Sequence, residues 1–155
     1  MRRLRKFIQL PLRDQRLLLE ATFFIATARL ALLVLPFRWI APWRGKHMAV
    51  TSETQADRDD QIVRGVQEAI RRTSNNVPWK TQCLAQAIAA TIMLQWRKIE
   101  GTVYLGIAKE GQTEVMAHAW LRSGRTIVTG SQGREQHSVV ATFAFPPRSC
   151  ELGKG

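Results

Sequence analysis

The stretch KTQCLAQAIAATIMLQW, residues 80–96, places a cysteine at the start of an apolar segment. Thr81 is a suitable N-cap, which would put Cys83 at the second helical position. The residues that follow are apolar on nearly every side of the predicted helix: Leu84, Ala85, Ala87, Ile88, Ala89, Ala90, Ile92, Met93 and Leu94. Because a helix with no polar face must be buried, we predict that this helix is central, with Cys83 at its N-terminal edge.

A second helix is predicted immediately before this stretch, over residues 57–72. Aspartates at 57, 59 and 60 and arginines at 71 and 72 match the two ends of the helix dipole. Its apolar residues follow the spacing of a single stripe: Ile62, Val63, Val66, Ala69 and Ile70. We therefore expect it to pack on one side only and to end at the polar break of residues 74–78.

The sequence changes to β character after Gly101. Residues 102–107, 115–121 and 125–129 are rich in β-branched and aromatic side chains and are separated by short turn signals. They predict an antiparallel meander, with residues 139–145 as a further strand or an edge segment. The predicted fold class is α+β, a central helix against a small antiparallel sheet.

The N-terminal region predicts a helix between Pro11 and Pro36, with Asp14 as a cap. Its apolar run, residues 17–35, is long enough to suggest a membrane span. Glu20 and Arg29 interrupt that run, and a charge near mid-span costs about 2.5–3.5 kcal/mol. We therefore expect a buried or partner-binding helix rather than a stable membrane span. No convincing signal peptide is present, so a cytoplasmic location is expected.

The chain is strongly basic, with 23 Lys and Arg against 12 Asp and Glu in 155 residues and a net charge of +11. Such a field favours an acidic partner. A helix-turn-helix pattern, zinc-ligand spacing and an aromatic-interleaved basic ribbon are all missing from the sequence, so nucleic acid is not the expected partner. Cys83 and Cys150 lack metal spacing, and we predict no disulfide, no metal and no cofactor.

Two residues are candidates for nucleophilic chemistry. Cys83 begins a helix, and His118 lies in the strand VMAHAWL, residues 115–121, where alternation places Met116, His118 and Trp120 on one face. A helix N-terminus and a cationic imidazole both stabilise a thiolate, and unpaired helix N–H groups can hold an oxyanion. By periodicity alone, the alternative that both residues are structural stays open.

The motifs together resemble a known family. CLAQAIAATIMLQW, GTVYLGIAKEG and MAHAWLRSGRTIVTG follow an arginine-rich apolar N-terminal region, and their order and spacing are similar to those of the standalone B proteins of lasso-peptide biosynthesis. These are leader peptidases with a transglutaminase-like, papain-like core. The similarity runs over residues 10–145.

The resemblance implies a function, a site and partners. It implies a cysteine protease that cleaves the leader peptide from a lasso-peptide precursor, with Cys83 as nucleophile and His118 as general base. A lasso cyclase would then use the freed N-terminus. In the family a separate small leader-recognition protein supplies recognition when the B protein lacks that domain. We find no room for the domain ahead of residue 10, so this chain should need that partner.

The same resemblance organises the chain into segments. Residues 1–45 form a basic and apolar helical segment, residues 46–56 a linker, and residues 57–155 the transglutaminase-like catalytic core. At 155 residues, 45% of them hydrophobic, these segments are expected to form one compact domain.

The third member of the site is open, because the strand after His118 has no carboxylate where related sequences can carry an Asp. If residues 123–124 form a two-residue hairpin loop, Thr129 lies opposite His118. The Thr129 hydroxyl or a backbone carbonyl near Gly130 is a candidate to orient the imidazole. Gln132 and Glu135, in the following loop, are further candidates.

Two tryptophans flank the candidate residues. Trp79 and Trp120 either wall a substrate cleft or serve as core aromatics.

Two other functions remain as alternatives. One is a non-catalytic basic module that binds nucleic acid or membrane through the N-terminus. The other is acyl transfer to an amine, as in transglutaminases, which would use the same site.

Overall fold

The computed structural model describes residues 8–34, 46–53, 57–77, 82–110 and 114–145. Three helices are present in these ranges: α1 (Leu12–Val34), α2 (Asp57–Asn76) and α3 (Cys83–Trp96). The predicted helices are confirmed, although α2 continues to Asn76, beyond its predicted end.

The start of α3 differs from the prediction. Gln82 has an extended backbone conformation, and its carbonyl oxygen accepts the N–H of Gln86 at 3.1 Å. Gln82 is therefore the N-cap and Cys83 is the first helical residue rather than the second. The predicted cap, Thr81, lies outside the described residues.

Helix α1 follows Pro11, whose carbonyl oxygen accepts the N–H groups of Asp14 and Gln15 at 2.9 and 3.1 Å. Pro11 thus accepts the first hydrogen bonds of α1, and Asp14 lies in the first turn instead of capping the helix. By length and composition α1 is able to cross a membrane, and 28% of its most apolar window is buried inside the protein. Its buried residues share one side of the helix: Leu17, Ala21, Phe24, Ile25 and Ala28.

The strands form one antiparallel sheet in the order β1-β5-β2-β3-β4. Their bounds are β1 (Lys46–His47), β2 (Gly101–Glu110), β3 (Glu114–Ser123), β4 (Thr126–Thr129) and β5 (Ser138–Phe145). The meander β2-β3-β4 is confirmed. The segment predicted as a strand or an edge, β5, is a full strand between β1 and β2.

The start of the predicted linker is part of this sheet. Lys46–His47 pairs with β5, and both the N–H and the hydroxyl of Thr51 lie 2.9 Å from the Thr102 hydroxyl. The Arg122 guanidinium also donates to the Thr51 carbonyl oxygen at 2.8 Å. These residues of the predicted linker are therefore paired with the sheet, because β5 and side chains of β2 and β3 supply partners for their backbone.

The core lies between the three helices and one face of the sheet. Its fully buried large side chains come from α1, α2, α3 and β3: Ile25, Val63, Val66, Ile70, Met93, Leu94 and Leu121. Helix α3 contacts both other helices and three strands, and eight of its 14 residues are buried. The prediction of a central buried helix is confirmed, and its N-terminal residue is Cys83.

Candidate active site

Cys83 is held at the end of the most buried helix of the protein. Its side chain is half-buried and packs against the core cluster. The first N–H of α3 with an intrahelical acceptor is that of Gln86, so those of Cys83, Leu84 and Ala85 precede the helical ladder. Such groups favour negative charge beside the Cys83 sulfur.

His118 is held on β3 by aromatic neighbours. Its ring stacks on the buried Trp120 at a centroid distance of 5.8 Å, and Trp120 in turn stacks on Tyr104 at 5.4 Å. Gly106, paired with His118 across β2 and β3, leaves space for this packing, since a Cβ there would lie 2.8 Å from the Trp120 ring. Trp120 therefore supports the histidine from within the fold. Trp79 lies outside the described residues.

One ring nitrogen of His118 is fixed by the backbone. Nε2 lies 2.9 Å from the carbonyl oxygen of Gly130, the residue after β4. Gly130 has φ +68°, and a Cβ there would overlap the Ala119 carbonyl oxygen and lie 2.8 Å from the Trp120 Cβ. Only glycine allows the chain to pass so close to β3 in this conformation. Of the groups predicted to orient His118, the backbone carbonyl of Gly130 is in contact with the imidazole ring.

The register of β3 and β4 differs from the prediction. Ser123 pairs with Thr126, so the two-residue loop is Gly124-Arg125, with Gly124 at φ +54°. Ser123 is retained in the strand because its buried hydroxyl donates to the Glu100 carbonyl oxygen at 2.6 Å. A bulge follows, and Thr129 pairs with Leu121 rather than lying opposite His118.

The side-chain candidates for orienting His118 make no such contact. Within the described ranges, the buried Thr129 hydroxyl has no hydrogen-bond partner. Glu135 is exposed on a short 3-10 helix, Arg134–Gln136, and no hydrogen bond among the described residues joins it to His118. Gln132 lines the cleft described below.

An open cleft of about 670 Å³ brings the two candidate residues together. It lies between the C-terminal end of α2, the start of α3 and the chain from β4 onward, and its lining includes Cys83, Gln86, His118, Gly130 and Gln132. Trp120 is not among its described lining residues. No hydrogen bond joins the Cys83 thiol to the imidazole in the ranges that the structure describes. Cys83 and His118 thus face one cavity from separate elements.

The electrostatics of the cleft wall are set by one ion-pair cluster. Glu68, the only carboxylate among the described residues that line the cleft, accepts two hydrogen bonds from Arg71 at 2.8 Å. It also accepts one from Arg72 at 2.6 Å. The hydrogen bonds from Arg71, more than those from Arg72, hold the pKa of Glu68 at about 2. Glu68 is therefore ionised at neutral pH and is committed to arginine rather than to proton transfer.

A second histidine lies beside the first, which the sequence analysis did not anticipate. The rings of His118 and His137 are 5.1 Å apart, and His137 Nδ1 lies 2.7 Å from the Gly133 carbonyl oxygen. Its Nε2 is buried and has no hydrogen-bond partner in the part of the chain that the structure describes. Because His137 comes from the start of β5, only the pairing of β5 with β2 opposite His118 brings the two together. Sequence spacing carries no signal for this contact.

The donors in this region do not form a metal centre. Among the described residues, no group of three or more His, Cys, Asp or Glu side chains is placed to hold a metal ion.

Comparison with known proteins adds one match. Residues 31–142, more than two thirds of the chain, match the family model described as the transglutaminase-like superfamily. The match includes Cys83, His118 and Gly130. Neither the curated proteins nor the solved structures contain a match to this chain.

Proposed function

The chain belongs to the transglutaminase-like superfamily, and from this premise we propose that it is a cysteine peptidase that cleaves the leader from a lasso-peptide precursor. The observation that carries the proposal is the cleft shared by Cys83, at a helix N-terminus, and His118, whose ring is held by the Gly130 carbonyl. The order and spacing of the C-L-x-x-A and A-H-A-W motifs support the choice of substrate.

The Gly130 contact determines which nitrogen of His118 accepts the proton. A carbonyl oxygen only accepts hydrogen bonds, so Nε2 carries the hydrogen and Nδ1 keeps its lone pair. Nδ1 is then the base for the Cys83 thiol. Catalytic hydrogen bonds tighten when substrate binds, so we expect the thiol and Nδ1 to come within hydrogen-bond distance in the complex.

The reaction then proceeds in two halves. The Cys83 thiolate attacks the scissile carbonyl, and the N–H groups at the start of α3 stabilise the oxyanion. The leaving amine takes the proton from His118 Nδ1, which leaves a thioester on Cys83. Water, deprotonated by Nδ1, attacks the thioester, and the leader is released as a carboxylic acid while the thiol is restored.

Among the described residues, His118 has the Gly130 carbonyl as its partner and no carboxylate. The Gly130 carbonyl stabilises the imidazolium through one neutral acceptor, and a charged acceptor would stabilise it more strongly. The aromatic packing of Trp120 keeps the ring in place. We therefore expect orientation, rather than charge, to be the main contribution of the residues around His118.

The proposal includes partners and a compartment. A small leader-recognition protein would bring the precursor to the cleft, and a lasso cyclase would use the released core peptide. All three act in the cytoplasm, where Cys83 stays reduced.

Cleavage of the cognate precursor, with the recognition protein present, tests the proposal by mass spectrometry. Cys83→Ala and His118→Ala are expected to abolish the leader product while leaving the circular dichroism spectrum unchanged. Cys150→Ala is the matched thiol control and is expected to retain cleavage. Cleavage that survives in Cys83→Ala would rule out the acyl-enzyme.

The mass of the leader product separates hydrolysis from acyl transfer. Hydrolysis adds water to the acyl group, whereas transfer adds the amine that is supplied. A leader product carrying the amine would assign the chain to the acyltransferases of the superfamily instead.

A further inference from the structure

Helix α1 carries a stripe of apolar side chains that face solvent. Its members are each at least 60% exposed and fall on the side of the helix opposite the core: Leu12, Leu19, Phe23, Leu30, Leu33 and Val34. The stripe runs for about 33 Å at the rise of an α-helix. Isolated apolar side chains are ordinary on a protein surface, but six of them on one side of one helix indicate a binding surface.

Positive charge lies at one end of the stripe. Arg13 and Arg16 are exposed in the first turns of α1. In the first 16 residues of the sequence the basic side chains number six, and Asp14 is the only acidic one. The other carboxylate of α1, Glu20, is bound to Arg97 at 2.6 Å. An occupant of this surface must therefore offer apolar contact along the helix and negative charge near its N-terminal end.

A second copy of the chain fits these requirements poorly. The stripe contains no carboxylate, so an antiparallel pair of α1 helices would leave both sets of arginines without a counter-charge. A parallel pair would bring the arginines together. An anionic bilayer surface supplies acyl chains along the whole stripe and phosphates at the arginines.

We propose that the exposed stripe of α1 binds the surface of an anionic membrane, with the helix lying in the plane of the interface. The buried side of α1 stays packed on α2 and α3, so the protein binds as a folded unit. The described lining of the catalytic cleft contains no residue of α1. Membrane binding therefore leaves Cys83 and His118 accessible to substrate.

Flotation of the full chain with vesicles tests this proposal. We expect binding to vesicles of phosphatidylcholine mixed with phosphatidylglycerol, little binding to phosphatidylcholine alone, and release at high salt. Arg13→Gln with Arg16→Gln should weaken binding at least about tenfold, since each basic side chain contributes about fivefold. Arg58→Gln with Arg134→Gln removes the same charge from exposed positions elsewhere and should leave binding nearly unchanged.

The apolar contribution is measured with Phe23→Ser and Leu30→Ser. Both side chains are exposed, so the melting temperature should fall only slightly, through the loss of the contact between the Phe23 and Phe24 rings, while vesicle binding falls about tenfold or more. Equal binding to neutral and anionic vesicles, or full binding by the Arg13 and Arg16 variant, would overturn the proposal.

Other occupants of the stripe have their own signatures. A concentration-dependent dimer in analytical ultracentrifugation that Phe23→Ser abolishes would assign the stripe to a second copy. Protein that stays with vesicles at high salt and alkaline pH would show a spanning helix. Either result would refute the interfacial arrangement. Each readout is independent of peptidase activity, so the proposal stands or falls separately from the catalytic one.

Discussion

The two sides of the candidate active site are held in place by different means. Cys83 is the end residue of α3, a helix whose side chains fill the core, so the position of the nucleophile depends on packing. His118 is oriented by the Gly130 carbonyl, a backbone group of a segment that passes close to β3. We infer that the position of Cys83 changes little with single substitutions nearby but is lost when the core unfolds. The orientation of His118, by contrast, depends on one residue, Gly130.

Removing core volume from α3, the helix that begins at Cys83, should have the largest effect. Leu94 is fully buried in α3, and Leu94→Ala is expected to lower the free energy of unfolding by about 2–5 kcal/mol. Urea denaturation measures this loss. Leu30→Ala removes the same atoms from an exposed position of α1 and should change the stability by less than about 0.5 kcal/mol. Similar losses in both variants would mean that α3 is not the main support of the fold.

Gly130→Ala should impair the orientation of His118, and hence activity, more than it lowers the stability of the fold. Gly130→Ala forces the chain away from β3, and we expect a loss of about 1–3 kcal/mol in stability together with about a hundredfold lower kcat/KM. Gly133→Ala is the matched control, because Gly133 also has a positive φ, +80°, but a Cβ there would lie 3.9 Å from the His137 ring, at ordinary contact distance. It shares the backbone strain without the clash. Equal kcat/KM in the two variants would contradict the role of the Gly130 carbonyl.

The ring of His137 should contribute a smaller amount. His137→Phe keeps an aromatic ring beside His118, removes the buried Nε2, which has no partner among the described residues, and replaces the exposed Nδ1 contact with the Gly133 carbonyl by water. We therefore expect near-normal stability and kcat/KM. His137→Ala removes the ring as well and should cost about 1 kcal/mol in thermal unfolding and lower kcat/KM. If the two variants behave alike, the ring contact does not position His118.

The smallest expected effect is the contribution of Glu68 to stability, which is measured by lowering the pH. Its pKa is lowered to about 2 in the folded protein, chiefly by Arg71, so the carboxylate contributes stability above its unfolded value of 4.5. That contribution is lost as the pH falls through about 2. The cluster is well exposed, so Glu68→Gln should cost only about 0.5–1 kcal/mol at pH 7.

Denaturation of the wild type and Glu68→Gln across pH 2–7 measures this difference. The two stabilities should converge toward pH 2, where Glu68 is already protonated in the unfolded chain and is becoming protonated in the folded one. A difference that stays constant over this range would contradict an ion-pair origin.

The family assignment and the vesicle experiment address different parts of the chain. The matched region, residues 31–142, contains the cleft and only the last turn of α1. Most of the exposed stripe lies before it. Point substitutions in the full chain therefore test the two proposals separately. Those at Cys83 test peptidase activity, and those at Phe23 test membrane binding.

Local sequence signals were sufficient for the secondary structure. The apolar composition of residues 84–94, the stripe of α2 and the β-branched runs after Gly101 predicted three helices and an antiparallel meander, which the structure contains. These signals work because each element must bury its own apolar side chains. The prediction of Cys83 and His118 as a pair rests on the position of Cys83 at a helix start and on the family resemblance, and both residues line one cleft.

The errors fall where long-range contacts compete with local preferences. Ser123 was assigned to a turn because of its type, but its hydroxyl finds an acceptor at Glu100, 23 residues away, and the register of β4 shifts. The start of the predicted linker became β1 because β5 offers a free edge. The residues adjacent in sequence to Ser123 and to Lys46–His47 do not indicate these distant partners.

By itself, the sequence determined which segments are helical or extended, that α3 is buried, and that a cysteine begins it. Those properties follow from the composition and periodicity of contiguous residues. Only the tertiary structure decided that the Gly130 carbonyl, rather than the Thr129 hydroxyl or Glu135, contacts His118, and that His137 packs beside it. The physical reason is that strand register and loop path are set by hydrogen bonds between distant residues, which no local pattern encodes.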